Sequence, residues 1–155
     1  METHADRVTF RGYLFFGAGQ LVSLLGSSIA AFVIVWWITL ETGSLVYLSI
    51  ASFLGFAPMV VLTPFAGVLV DRWNRKPLTI SVDLLQAMAT VALIVLFWLN
   101  VVSIWHVLAL SALRSVFQAF HHPAVSALTP LMVPRDKLSR VNGLIFFFSG
   151  LINLI

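Results

Sequence analysis

The sequence contains no cysteine, which excludes disulfides, thiolate metal sites and cysteine nucleophiles. Charge is nearly as scarce: Asp, Glu, Lys and Arg supply 10% of the 155 residues, where soluble domains carry roughly a quarter. Apolar residues take their place at 60% of the chain, against about half in soluble domains. A water-soluble fold of this length cannot hide so much apolar surface, so lipid must be the solvent for much of it. Chemical motifs are missing too. There is no G-x-x-x-x-G-K-[ST] phosphate loop and no His-Glu-x-x-His zinc stretch, so neither catalytic residues, nor a metal, nor a cofactor is expected. A cleavable signal peptide is also not expected, because the first apolar run outlasts a signal core of roughly 7–15 residues and no small-residue cleavage site follows it.

What remains is a series of long apolar runs broken by short polar loops. A membrane helix needs about 20 mostly apolar residues. The runs predict helices over about 13–40, 45–70, 77–99 and 104–128, preceded by a polar N-terminus at 1–12. Glu41-Thr42-Gly43-Ser44 and Asn100-Val101-Val102-Ser103 read as tight turns. Pro77 suits the first turn of the third helix, where its missing N–H costs nothing. Pro123 and Pro130 predict a kink or an irregular end in the fourth. A fifth run over 141–155 has roughly 15 residues, too few at about 1.5 Å each to cross about 30 Å of hydrocarbon. The expected fold is an all-α polytopic membrane protein with four complete transmembrane helices and an incomplete fifth.

The net charge of +3 does not indicate nucleic acid, which requires basic residues gathered on one soluble surface. Here the nine are dispersed. Arg7 and Arg11 precede the first helix; Arg72, Arg75 and Lys76 lie between the second and third; Arg135, Lys137 and Arg140 lie between the fourth and fifth; Arg114 stands inside the fourth. The turns at Glu41 and Asn100 have none. By the positive-inside rule the N-terminus and the two basic loops are cytoplasmic. Trp36, Trp37, Trp98 and Trp105 then fall near the outer ends, where amphipathic rings anchor at the interface.

Asp71 ends the second helix, where the macrodipole already places negative charge, so it needs a compensating partner such as Arg75 or the N-terminus of another helix. Gly67, one turn earlier, permits close approach of such a helix. The stretch Gly67-Val68-Leu69-Val70-Asp71-Arg72-Trp73-Asn74-Arg75-Lys76-Pro77 resembles the loop between helices two and three of the major facilitator superfamily, approximately G-x-L-a-D-r-x-G-r-k, with Asn74 at the second glycine position. The resemblance implies that Gly67 and Asp71 pack against a helix of the C-terminal half and stabilise the outward-facing state, with Arg75 as ion-pair partner and Arg72 and Lys76 in the same switch loop. Gly19-Gln20-Leu21-Val22-Ser23-Leu24-Leu25-Gly26-Ser27 looks like the opening helix of macrolide- and drug-efflux members. Arg114, Gln118 and His122-Pro123-Ala124 resemble that group's fourth helix, though the usual pattern sets a glutamine and glycine closer behind the arginine. Leu131-Met132-Val133-Pro134, then Leu138, Arg140, Asn142 and Gly143, looks like its link into helix five. The chain therefore reads as the N-terminal part of a major-facilitator six-helix half.

Several polar residues interrupt the apolar runs. Gln20, Ser23 and Ser27 recur at helical spacing and form either a wall of a central cavity or interhelical hydrogen bonds. Arg114 lies near the bilayer midplane, where a charge costs about 2.5–3.5 kcal/mol on insertion scales and must face protein or water; the resemblance links it to proton coupling, the alternative being a structural anchor. Asp83 stays close enough to the cytoplasm to be hydrated, which suits a structural role near the inner gate or a titrating group. His121 and His122 point in different directions on a helix, which argues against a shared metal.

The resemblance implies a secondary transporter of the plasma or inner membrane that exports an amphipathic drug or metabolite against inward proton flow. Its two six-helix halves would rock about a central site, so a C-terminal half is needed as partner. A self-sufficient four-helix exporter of the small multidrug resistance type would carry a membrane glutamate in helix one, and the only glutamates are Glu2 and Glu41. An inactive remnant or accessory membrane protein is the remaining alternative. With no native cysteine, single substitutions report sidedness without background. Ser44→Cys and Val101→Cys are expected to react with an impermeant maleimide added to intact cells, and Asn74→Cys and Ser139→Cys only after permeabilisation. Labelling of Asn74→Cys in intact cells would reverse the orientation.

Overall fold

The computed structural model describes residues 4–134, 137–152 and 154, with side chains described except at 4–11, 14, 75 and 131. Arg135 therefore lies outside the described residues, as do the side chains of Arg7, Arg11 and Arg75. Among the described residues five helices follow one another: α1 (His4–Thr42), α2 (Leu45–Arg72), α3 (Arg75–Trp98), α4 (Ile104–Met132) and α5 (Leu138–Ile152). The all-α architecture expected from the apolar runs is what the chain adopts. Three helices, α1 to α3, are long and apolar enough to cross a membrane. The sequence predicted four complete spans; α4, at 29 residues, is longer than α2 and α3, but Arg114, Gln118, His121 and His122 lower its hydropathy.

Residues 33–125 form one compact unit, and residues 1–32 with 126–155 another. In the first, Ile34 and Ile38 of α1, Ala51 of α2, Leu93 of α3 and Val107 and Leu108 of α4 form a buried cluster beside the two tight turns. Trp37 meets Phe97 edge-on at 5.4 Å. In the second unit, Tyr13, Val133 and Val141 are buried together, and the Tyr13 hydroxyl lies 3.3 Å from Thr129 Oγ1. Outside these clusters the helices keep apolar side chains on their surfaces. On α2, Phe53, Phe56 and Phe65 are each more than 60% exposed, an arrangement that only lipid or further helices can cover.

Both tight turns use left-handed residues. Gly43 has φ +58° and donates its N–H to the Thr39 carbonyl at 3.1 Å, an αL cap. After α3, Asn100 has φ +55°. Its N–H reaches the Phe97 carbonyl and the Val101 N–H reaches the Leu96 carbonyl, at 3.1 and 3.2 Å. That pair of bonds is a Schellman motif with Asn in the position usually held by glycine. Ser103 then opens α4: its carbonyl takes the Val107 N–H, and its hydroxyl lies 2.9 Å from His106 Nδ1.

Prolines sit inside the helices. α2 contains Pro58 and Pro64, each depriving the preceding turn of one donor. The neighbouring Met59 N–H donates to Ser115 Oγ of α4 at 3.1 Å, and the Thr63 hydroxyl donates to the Met59 carbonyl. α4 runs unbroken through Pro123 and Pro130 to Met132, so the irregular end expected near 128 does not occur there. Proline's fixed φ is itself helical, and the Val133 N–H still reaches the Thr129 carbonyl at 3.1 Å. Ser115→Ala should leave the Met59 N–H without its acceptor and cost about 1 kcal/mol or more. Ser52→Ala, which removes only an exposed bond within α2, should cost less. Reversible detergent unfolding followed by circular dichroism checks the pair, and equal midpoints would remove the assigned role of Ser115.

Candidate functional site

α4 assembles most of the polar chemistry within the chain. Ser111, Arg114, Ser115, Gln118, His121 and His122 recur at steps of three and four, so they share roughly a third of the helix circumference at about 3.6 residues per turn. Neighbouring helices meet this stripe at two levels. At the upper level Ser115, 3% exposed, holds the Met59 N–H of α2. Nearer the α2–α3 loop, His121 Nε2 lies 3.0 Å from Asp83 Oδ1 of α3, both half-buried.

Beside Ser115 stands Arg114, half-buried, with no hydrogen bond or ion pair to any of the described residues. Ser111, one turn away, is buried, and its hydroxyl oxygen also lacks a partner among the described residues. A guanidinium offers five donors in a rigid fork and cannot release a proton under physiological conditions. It can therefore hold a carboxylate, another anion or ordered water, but it cannot itself shuttle a proton. The Asp83–His121 pair can.

The sequence reading singled out Asp83 and His121 separately and did not join them. The available signal was their position: they lie at nearly equal distances along the chain before and after the α3–α4 turn, so an antiparallel hairpin sets them side by side. Ser115 was also missed. Its signal was Pro58, because a proline inside a membrane helix calls for an outside hydroxyl or water to satisfy the disturbed backbone.

The residues of the α2–α3 loop form a separate site at the end of the same unit. Asp71 is exposed in the last turn of α2, followed by the exposed Arg72, whose charge suits the negative end of that helix. Lys76 is exposed in the first turn of α3; the Arg75 side chain lies outside the described residues. Gly67 is half-buried, yet a Cβ added there would meet nothing within 4 Å. Within the described chain, therefore, no neighbour requires this glycine. On α1, Gln20 and Ser27 are half-buried and Ser23 is exposed. They belong to the other compact unit and form a stripe of their own.

Residues 16–155 match the Major Facilitator Superfamily. The macrolide efflux protein A of Streptococcus pyogenes is 45% identical over 127 residues, 81% of this chain and 31% of that protein. The macrolide efflux protein A of Enterococcus faecalis is 44% identical over 102 residues, 65% of this chain and 31% of that protein. The staphyloferrin A transporter of Staphylococcus aureus is 22% identical over 141 residues, 90% of this chain and 35% of that protein. The chain thus spans about a third of the length of the curated relatives it matches. No solved structure matches it.

The open space at Gly67 has a measurable consequence. Gly67→Ala should leave the unfolding midpoint of this chain in detergent unchanged, or raise stability by up to about 1 kcal/mol through helix propensity. A drop of comparable size would mean that something within the chain already packs on the glycine.

Proposed function

The chain belongs to the major facilitator superfamily, and we propose that it forms the opening helices of a secondary transporter that exports amphipathic drugs or metabolites in exchange for protons. The observation that supports this most directly is the polar stripe of α4, with the half-buried Arg114 at its centre in a chain otherwise built to meet lipid. A charge kept inside a membrane helix is costly and marks a substrate or ion pathway by default. The name of its 45%-identical relatives, macrolide efflux protein, supports an amphipathic, macrolide-like substrate.

In this reading Arg114 supplies a fixed positive charge that holds the conjugate base of a proton-carrying group or orders water beside it. Gln20, Ser23 and Ser27 line part of the substrate path. The α2–α3 loop is the conformational switch. Asp71, with Arg75 as its ion-pair partner and Arg72 and Lys76 beside it, binds a helix of the second half when the outer side is open, and Gly67 lets that helix come close. The chain lies in the plasma or inner membrane with its N-terminus in the cytoplasm, as the distribution of Lys and Arg supports. Alternating access rocks two halves about a central site, so transport belongs to this chain together with the remaining length its relatives have. On its own the chain is inactive or an accessory membrane protein.

The test is uptake of a radiolabelled macrolide into inside-out vesicles driven by a proton gradient. The chain alone should accumulate none. Co-expressed with the C-terminal two-thirds of a macrolide efflux relative, it should accumulate substrate, and Asp71→Asn should lower that rate by about tenfold, within the ordinary range of a conformational coupling. Gradient-driven uptake by the chain alone, or none by any complemented pair, would overturn the reading.

A further inference from the structure

The transport reading requires a group that binds and releases a proton, and Arg114 cannot be that group because a guanidinium stays charged. Among the described residues, Asp83 is the one carboxylate more than a turn inside a helix; Asp6, Glu41 and Asp71 all stand within a turn of a helix end. His121 Nε2 lies 3.0 Å from its Oδ1. We infer that the Asp83–His121 pair joining α3 to α4 is a proton-binding site, and that it binds the coupling ion; the second part rests on the function proposed above.

The physical argument concerns charge and water. With one proton bound beyond Asp⁻ and neutral imidazole, the pair has no net charge and ties α3 to α4 as an ion pair or its neutral tautomer. Without that proton it has a net charge of −1, which burial in apolar surroundings penalises heavily. Releasing the proton therefore favours a conformation in which water reaches the pair, and binding it favours one in which the helices close over it. Protonation and access to the α2–α3 end are coupled by the same desolvation energy. The position fits: both side chains are half-buried, shielded enough for the charge to matter and open enough for a proton to enter. Among the described side chains, the remaining charged or titratable ones at this end of the unit are Asp71 and Arg72 on α2, Lys76 on α3, and Arg114 and His122 on α4. Asp71, Arg72, Lys76 and His122 are exposed. Arg114 lies two turns from His121 along the polar stripe.

His121→Gln keeps an N–H donor toward Asp83 and removes the imidazole base of the pair. In proteoliposomes of the transporter completed as above, this variant should retain macrolide exchange at equal pH within about twofold of wild type and lose gradient-driven transport by about tenfold or more. Loss of both together would mean a structural tie, and wild-type driven transport would mean that the proton binds elsewhere; either overturns the inference. Should the wild-type protein move no macrolide at all, the transport reading and the pair's role in coupling both fail, and amide exchange on the 155-residue chain in nanodiscs still decides the proton site. After correction for intrinsic rates, amides of α3 and α4 flanking Asp83 and His121 should be better protected at about pH 5.5 than at about pH 8, the range in which histidine ordinarily titrates. His121→Gln and Asp83→Asn should each abolish that difference, and a difference that persists in both variants would exclude the site.

Discussion

A backbone in hydrocarbon has no water to fall back on, and each N–H and C=O left unmet there costs several kcal/mol. Every structural choice in this chain follows from that constraint. Helices satisfy the interior of each apolar run, leaving their ends and their prolines as the places where accounts must be settled locally. Gly43 and Asn100 do so at two ends by turning left-handed and returning N–H groups to the last carbonyls of α1 and α3. The hydroxyls of Thr39, Thr42, Ser49, Ser52 and Thr90 each donate to a carbonyl one turn back, so a polar side chain beside lipid brings no unmet donor with it. Beside Pro58, Ser115 of α4 accepts the Met59 N–H from outside the helix.

This last contact explains why α4 differs from its neighbours. A helix that must present a hydroxyl to α2 and an imidazole to α3 cannot also be uniformly apolar. Its polarity begins at Ser111, and the same face one turn earlier, at Val107 and Leu108, joins the apolar cluster beside the turns. The same stripe holds Arg114, and the chain's structural and functional polar groups are consequently neighbours on one helix. Substitutions along α4 will for that reason often affect packing and chemistry together. Conservative replacements that keep a donor while changing its charge separate the two.

Much of the fold was legible because lipid enforces a simple grammar: apolar runs of spanning length, basic loops, and Gly or Asn at tight turns. Five helices could be placed from these features alone, although α1 begins earlier than its apolar run and α4 and α5 extend further into the polar loop between them. Those margins depend on backbone hydrogen bonds, to which hydropathy is insensitive. The end of α4 is set in the same way, since Pro123 and Pro130 interrupt a donor series without changing the helical φ. The candidate site was half legible. Arg114 and Asp83 stand out as charges in apolar surroundings, but pairing is a property of two helices in register. His121, read along its own helix, looked like half of a histidine dipeptide rather than the partner of a carboxylate on another.

The brevity of the two capped turns has a consequence of a different kind. Gly43 and Ser44 are all that separate α1 from α2, and residues 99–103 are all that separate α3 from α4. On that face of the membrane the unit offers almost no polypeptide to grip. A protease finds no extended segment to thread into its cleft, and an antibody finds an epitope made of helix ends and lipid headgroups rather than a loop.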